Sequence, residues 1–301
     1  MKYSTPKALE MAVKEAAKKS PFDTNRAIQA FYHHRFLCRV FSDSQCPFTL
    51  KGGHSMLART VDARLTRDID LTTSVLRLDE ALTKLKELSS IDLDDFVTFE
   101  FASATPIKSE DEYREGYAVK FDAYLGPKKI QSISIDLVSD EIPCESVDTM
   151  QPADRLVIEG LAVFDYQVYP AERSIADKVC ALAEHHDGRP SSRVKDLVDI
   201  TVYATSIPFD KHALSREIKN ELRARRLEIE SGNFDIPREW GSERVKQYKK
   251  LAKDTLLPTQ AKTMEGARGI ASALINPCLE NDVANATWSP DTLSWHPSST
   301  N

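Results

Sequence analysis

Glycine is scarce in this sequence, at ten of 301 residues, so a glycine pair at a turn is informative. Cysteine is scarcer still. Cys38, Cys46, Cys144, Cys180 and Cys278 are odd in number, widely scattered and never spaced as C-x-x-C. That excludes a disulfide framework and a zinc site of the usual spacing, and leaves reduced thiols as the reading. No run approaches the roughly 18 apolar residues that a membrane span needs. The N-terminus enters a Lys/Ala-rich amphipathic stretch without the apolar core of a signal peptide. A cytoplasmic protein with no membrane partner is expected. An excess of positive charge is also missing. The net charge of −6 argues against a wholesale electrostatic grip on nucleic acid, although a local basic patch remains compatible with it. What is present, 41% hydrophobic and 29% charged residues, describes a globular chain long enough for one large domain or two.

Hydrophobic periodicity divides the chain into three parts. Residues 1–160 read as an α/β domain with a mixed sheet. Thr5-Pro6 and Asp23 are helix starts. Phe48-Thr49-Leu50, Asp68 to Leu71 and Val97 to Phe101 read as strands, and Asp79 to Leu88 as a helix. Tyr117 to Leu125 and Ile130 to Leu137 read as a hairpin joined through Gly126-Pro127-Lys128-Lys129. Residues 161–275 read as a helical lobe, with stripes at Ile175/Val179/Leu182 and Val194/Leu197/Val198/Thr201 and a cap at Ser191-Ser192. Residues 276–301, containing Trp288, Trp295 and several Pro and Ser, are expected to be an irregular tail. Neither internal repeats nor low-complexity tracts are present.

One constellation carries chemistry. Lys51-Gly52-Gly53-His54-Ser55 is followed, after twelve intervening residues, by Asp68-Ile69-Asp70-Leu71. Side chains at i and i+2 of a strand share a face, so Asp68 and Asp70 project together. Two carboxylates that close repel unless a cation lies between them, and oxygen ligands suit Mg²⁺ or Mn²⁺. A Gly-Gly turn lets backbone N–H groups approach phosphates, the following helix offers its positive end, Lys51 adds charge and Ser55 a hydroxyl. In Ile133-Ser134-Ile135-Asp136-Leu137, Asp136 lies on the polar face. If that strand neighbours the Asp68/Asp70 strand, Asp136 either completes the metal site or takes a proton from an attacking hydroxyl. D-x-D alone is common, whereas strand, Gly-Gly turn, helix, D-h-D and a later h-D-h together are not.

The run Phe48-Thr-Leu-Lys51-Gly52-Gly53-His54-Ser55-Met-Leu, with Arg67-Asp68-Ile69-Asp70-Leu71 after it, resembles the signature of the DNA polymerase beta nucleotidyltransferase superfamily. More narrowly it resembles the AbiEii toxin family, whose run is K-G-G-T-A-L followed by R-x-S/T-x-D-I-D-L. His54 departs from the usual Thr, and the Gly53-to-Asp68 gap is at the long end for the superfamily. The segments around Asp177-Lys178 and Arg193-Val-Lys195-Asp196-Leu-Val-Asp199 are similar to later motifs of that family, and the likeness spans roughly residues 30 to 205. It implies a nucleotidyltransferase (polymerase beta-like) α/β domain followed by a helical lobe that completes the cleft. It also implies that Lys178 binds the triphosphate, that Asp196 is an essential acid, and that Arg193, Lys195 and Asp199 support them. The NTP would be the substrate, a tRNA 3′ end the acceptor, and an antitoxin the partner in a type IV toxin–antitoxin pair. Read without the likeness, Lys178 is as compatible with a lysine reaching solvent, and Asp196/Asp199 with a charged helix face.

Two rivals stand beside this expectation: a nucleotidyltransferase acting on a small molecule or protein, and a non-catalytic binding module of the same fold. His33-His34 and His185-His186 read as surface residues. Tyr113-Arg114-Glu115 and Lys128-Lys129 read equally as loop charges or RNA contacts. Arg223 to Arg226, with Lys246, Lys249 and Lys250, reads as a solvated face.

Overall fold

Thr5 and Asp23 start the first two helices through their side chains. Thr5 Oγ1 accepts from Ala8 N and Asp23 Oδ1 from the N–H groups of Asn25 and Arg26, while Pro6 sits at the first helical position. In this computed structural model the described residues are 2–64, 66–107, 114–140, 146–186, 188–229, 233, 234, 236, 240–280 and 284–298. The chain forms two compact units, Met1–Arg59 with Leu65–Tyr169, and Thr60–Arg64 with Pro170–Asn301.

The first unit contains α1 (Pro6–Lys19), α2 (Thr24–Val40), β1 (Thr49–Lys51), α3 (Gly52–Arg59), β2 (Asp68–Thr73) and α4 (Leu78–Ser89). After them come β3 (Val97–Ile107), β4 (Arg114–Leu125), β5 (Lys128–Asp140), β6 (Asp148–Met150) and β7 (Tyr166–Val168). The strands make one seven-stranded mixed sheet in the order β3-β4-β5-β2-β1-β7-β6. β2 runs parallel to β5 and antiparallel to β1. The β4–β5 hairpin turns at Gly126-Pro127, with Gly126 at φ +54°, so Lys128 and Lys129 belong to a strand and not to a loop. They pair with Glu10 and Asp122 at 3.1 and 2.6 Å. Tyr113 lies outside the described residues.

Period-two alternation explains why this sheet has one dry face. Ile69, Leu71, Ile133, Ile135, Leu137, Val119 and Phe121 are buried in one cluster with Leu9 and Val13 of α1, Phe36 and Leu37 of α2 and Leu85 of α4. The intervening residues, Asp68, Asp70, Ser134 and Asp136, take the other face. Inside the core sits an ionic group that hydrophobic periodicity does not announce. Asp95, fully buried, accepts from Arg35 Nε at 2.6 Å and Arg39 Nη2 at 2.7 Å, and Arg39 is 1% exposed. Burial pushes the Asp95 carboxyl up, but Arg39 and Arg35 outweigh it and hold it below the ordinary value.

The second unit contains α5 (Ala171–Ala183), β8 (His185–His186), β9 (Arg189–Pro190), α6 (Val194–Ser206), β10 (Phe209–Asp210), α7 (Lys211–Ala224) and α8 (Ser242–Lys253). A 3₁₀ turn (Thr259–Lys262), α9 (Met264–Leu279), β11 (Ala286–Ser289) and β12 (Ser294–Pro297) complete it. Three expectations are corrected here. The last stretch is not irregular: α9 continues past residue 276, and β11 and β12 form a hairpin joined to β10. The cause is tryptophan. Trp288 is fully buried and donates from Nε1 to Ala204 O at 2.7 Å, while Trp295 packs edge-on to it and donates to Ala273 O. The units also part at residue 169 and not 160, and residues 60–64 leave the first unit for the second. Arg225 does not lie on a solvated face. Its guanidinium is gripped by Asp177, Glu184 and Glu221 at 3.1, 2.8 and 2.6 Å. Ser191 caps α6 only indirectly, accepting from Arg193 N and donating to Ala181 O. Cys38, Cys46, Cys180 and Cys278 are buried and unbridged, and Cys144 lies outside the described residues.

Removing one partner of a buried charge group leaves the others uncompensated, at a cost of about 3–5 kcal/mol. Asp95→Asn should therefore lower the thermal midpoint of the first unit markedly in far-UV circular dichroism. An unchanged midpoint would show that the buried Arg–Asp group contributes nothing.

Candidate active site

The acidic face of the first unit is set by strand register. β2 and β5 pair with Asp68 opposite Ser134 and Asp70 opposite Asp136. The sequence condition for three converging acids, that the two strands be neighbours, is met. Across β1, Lys51 stands opposite Asp70, and its ammonium lies 4.1 Å from the centroid of the Tyr169 ring.

Gly52 explains why the turn needs glycine. It has φ +62°, and a Cβ built on it would fall 1.8 Å from Asp70 Oδ2 and 2.5 Å from Asp70 Cγ. The Asp70 carboxylate thus fills the space where any side chain at residue 52 would begin, directly over the start of α3. A helix N-terminus favours negative charge. At Gly53 a Cβ would meet Thr66 Cβ at 2.7 Å, so the second glycine lets the segment before β2 close onto the turn. Ser55 has a different part from the one expected. It is fully buried and donates its hydroxyl to Gly52 O at 2.8 Å, so it braces the turn instead of facing a phosphate.

The donor set fits a hard divalent cation held jointly with substrate. Among the described residues no three His, Cys, Asp or Glu side chains are gathered closely enough to hold a metal by themselves. Mg²⁺ does not require such a cage, since it is commonly bound by one or two carboxylates together with substrate phosphates and water. Asp68 and Asp70, two residues apart on one strand face, with Asp136 beside Asp70, meet that requirement.

The second unit holds a buried cluster. Lys178 of α5 donates to Asp199 Oδ2 at 2.8 Å and lies 3.4 Å from Asp196 Oδ1, both on α6. Asp196 and Asp199 are 2% and 1% exposed, which rules out a solvated helix face. Burial disfavours the Lys178 charge, but Asp199 and Asp196 outweigh it and raise its pKa above the ordinary value; Lys178 and Arg64 likewise hold Asp199 low against burial. Arg193 Nε donates to Asp196 Oδ2 at 2.6 Å, and Lys195 is exposed. Arg64 was missed by the sequence reading. It grips Asp199 with two donors, Nε to Oδ1 at 2.8 Å and Nη2 to Oδ2 at 3.1 Å. The signal for it was the long Gly53-to-Asp68 gap, because the extra residues carry the Thr60–Arg64 segment into the second unit.

His33 and His34 correct another expectation, since they are buried. His33 Nδ1 and the ring Nε2 of buried His54 are 3.2 Å apart, and His34 Nδ1 meets the Tyr166 hydroxyl at 3.2 Å. Burial, reinforced by His34, pushes His33 down to about 4, and His54 lies well below its ordinary value for the same reason. His54, where the family run has Thr, is therefore a neutral packing partner of α2. His185 is exposed.

A strand–Gly-Gly–helix turn closed over one acid of a D-x-D strand, with a third acid on the neighbouring strand, is the arrangement of a nucleotidyltransferase, and this chain is one. More particularly, residues 35–267 match the family model described as the nucleotidyl transferase AbiEii toxin of type IV toxin–antitoxin systems, and the chain belongs to that family. An NTP substrate, a divalent metal and an antitoxin partner come with that membership. Among solved structures, JHP933 from Helicobacter pylori is 19% identical, with 82% of this chain and 92% of that chain covered at a TM-score of 0.43. A second H. pylori structure, provisionally classed as a nucleotidyltransferase, is 19% identical, with 85% and 95% covered at 0.44. No curated protein matches the chain.

Gly52→Ala should leave the far-UV spectrum intact yet lower nucleotide transfer about a hundredfold, the scale of a roughly 1 Å misplacement of a reacting group. Near-normal turnover would mean that the Asp70 position is not set by this contact. The histidines make a second prediction. A pKa depressed on folding means that the unfolded state binds more protons, so stability is full above the unfolded value of 6.5 and declines as pH falls towards about 4. Denaturant midpoints of the first unit should drop across that window. They should drop less in His33→Gln, and an equal slope in that variant would contradict the assignment.

Proposed function

We propose that this chain transfers a nucleoside monophosphate from an NTP to an RNA acceptor, the 3′ end of a tRNA, and so blocks translation. The observation that carries the transfer chemistry is the β2–β5 register, with Asp70 beside Asp136 and the Gly52 turn closed over Asp70, while membership of a toxin family suggests the acceptor. Asp68 and Asp70 would hold Mg²⁺, or Mn²⁺ in its place. Bound there, the cation neutralises phosphate charge and polarises the α-phosphorus.

The remaining work falls to the chain itself. Backbone N–H groups at Gly52 and Gly53 position the phosphates, and Lys51 adds a positive charge. Asp136 accepts the proton of the acceptor hydroxyl as its oxygen attacks the α-phosphorus in line. A P–O bond to the acceptor forms, the bond between the α-phosphorus and the bridging oxygen breaks, and pyrophosphate leaves. From the second unit we assign Lys178 to charge neutralisation on the triphosphate and Asp196 to the essential acid, with Arg193, Lys195, Asp199 and Arg64 supporting them. The family motif on which Lys178 falls supports that assignment, and its two carboxylate partners keep it charged. The protein supplies positioning and electrostatics more than covalent chemistry. Its place of action would be the cytoplasm, and among the described residues no helix is long and apolar enough to cross a membrane.

The net charge of −6 favours a second reading, in which the acceptor is a small molecule or a protein. One experiment separates the two. Each labelled NTP is incubated with the protein, total tRNA and candidate small molecules, with and without Mg²⁺. Label on tRNA that requires Mg²⁺ is expected. Label confined to small molecules or to protein would overturn the tRNA acceptor.

A further inference from the structure

A cavity of about 460 Å³ opens beside Asp68 in the first unit. It exists because two neighbouring strands differ in length. β5 starts at Lys128, but its pairing with β2 begins only at Ser134, opposite Asp68. The notch left next to the early part of β5 is closed by α2 on one side and α3 on the other. Its walls include Phe22, Arg26, His33, His54, Arg67 and Ser132, with Asp68 at its edge. Lys51 and Asp70 are not among the described residues lining it.

Its lining offers groups that a nucleotide could use. The Arg26 guanidinium lies over the Phe22 ring, 4.7 Å from the centroid, which makes an aromatic and planar-cation surface of the kind on which unpaired bases stack. Arg67 adds a second cation suited to a backbone phosphate, and Ser132 and Ser134 add hydroxyls. The His33–His54 pair at the inner wall is buried. Asp154 also lines the inner wall, 3.0 Å from the His34 ring, and Asp68 stands at the edge, so the two arginines balance the two carboxylates and place local positive charge where a phosphate could meet it. The volume is in the range that takes one small ligand.

We propose that this cavity seats the terminal nucleotide of a single-stranded RNA acceptor, its hydroxyl passing Asp68 towards Asp136, two residues beyond the cavity's Ser134 on β5, while the NTP phosphates occupy the Gly52 flank. The inference rests on the nucleotide-transfer reading above and adds the residues that select the second substrate. Arg26 and Arg67 hold the terminal phosphates, Phe22 and Arg26 support the base, and Asp68 marks the boundary between the two substrates.

The test uses the full chain and a short, fluorescently labelled single-stranded RNA, read by anisotropy, alongside KM for the NTP in the transfer assay. Arg26→Ala and Arg67→Ala should each weaken RNA binding about tenfold, the effect of losing one stacking or phosphate contact. Ala30→Phe, which fills the cavity from α2, should abolish binding. KM for the NTP and the thermal midpoint should stay unchanged. RNA affinity that is the same in all three variants, or a rise in KM for the NTP in place of weaker RNA binding, overturns the proposal. Failure of wild-type protein to bind the RNA overturns it as well. Wild-type protein that binds RNA in a cavity-dependent way yet labels none of it would instead overturn the acceptor named above, with the cavity assignment intact.

Discussion

The carboxylate of Asp70 occupies the space in which a side chain at residue 52 would begin, and the acidic face of the first unit is organised around that contact. It links three features of different sequence origin: the left-handed φ of Gly52, the start of α3 and the D-x-D strand. Close approach of an acid to a helix start is electrostatically favourable. A second carboxylate two residues away and a third on the neighbouring strand are not favourable without a counter-ion. Ser55 locks the turn from below, through its hydrogen bond to Gly52 O. The face thus gathers three carboxylates beside a braced turn, with Lys51 opposite Asp70, an arrangement suited to a divalent cation shared with a triphosphate.

The second unit solves the opposite problem, keeping a cation charged out of water. Lys178 sits between Asp196 and Asp199, and Arg64 and Arg193 fix those two acids. Every member touches a partner of opposite sign, which offsets the desolvation that burial imposes. Such a lysine cannot reorient freely. The same arrangement recurs, with no link to chemistry, where Arg35 and Arg39 clamp Asp95 and where Arg225 gathers Asp177, Glu184 and Glu221. A buried ion group is therefore not by itself a sign of a site; Lys178 is distinguished by the family motif on which it falls.

Features encoded by local periodicity were legible in the sequence. The Asp68/Asp70 face, the β4–β5 hairpin, the helix caps at Thr5 and Asp23 and the Asp136 strand all follow from alternation or from capping chemistry acting within a few residues. What escaped depends on partners far away in the chain. Nothing near Asp95 signals that Arg35 and Arg39 will surround it. His33 and His34 read as polar surface because their burial depends on His54 and Tyr166. Trp288 and Trp295 lie among Pro and Ser that suggest disorder, yet two buried indoles anchor a hairpin against α6 and α9. Arg64 was hidden in a gap that looked only long. The cavity beside Asp68 arises from unequal strand lengths, which no single segment encodes.

The account depends most on Asp68 and Asp70 acting as a cation pair. Electron paramagnetic resonance of Mn²⁺ added with a non-hydrolysable NTP analogue tests that directly, because it reads binding and not turnover. Wild-type protein should hold Mn²⁺ in an analogue-dependent way, and Asp68→Asn/Asp70→Asn, folded by far-UV circular dichroism, should lose it. Undiminished analogue-dependent Mn²⁺ binding in the folded double variant would contradict the assignment.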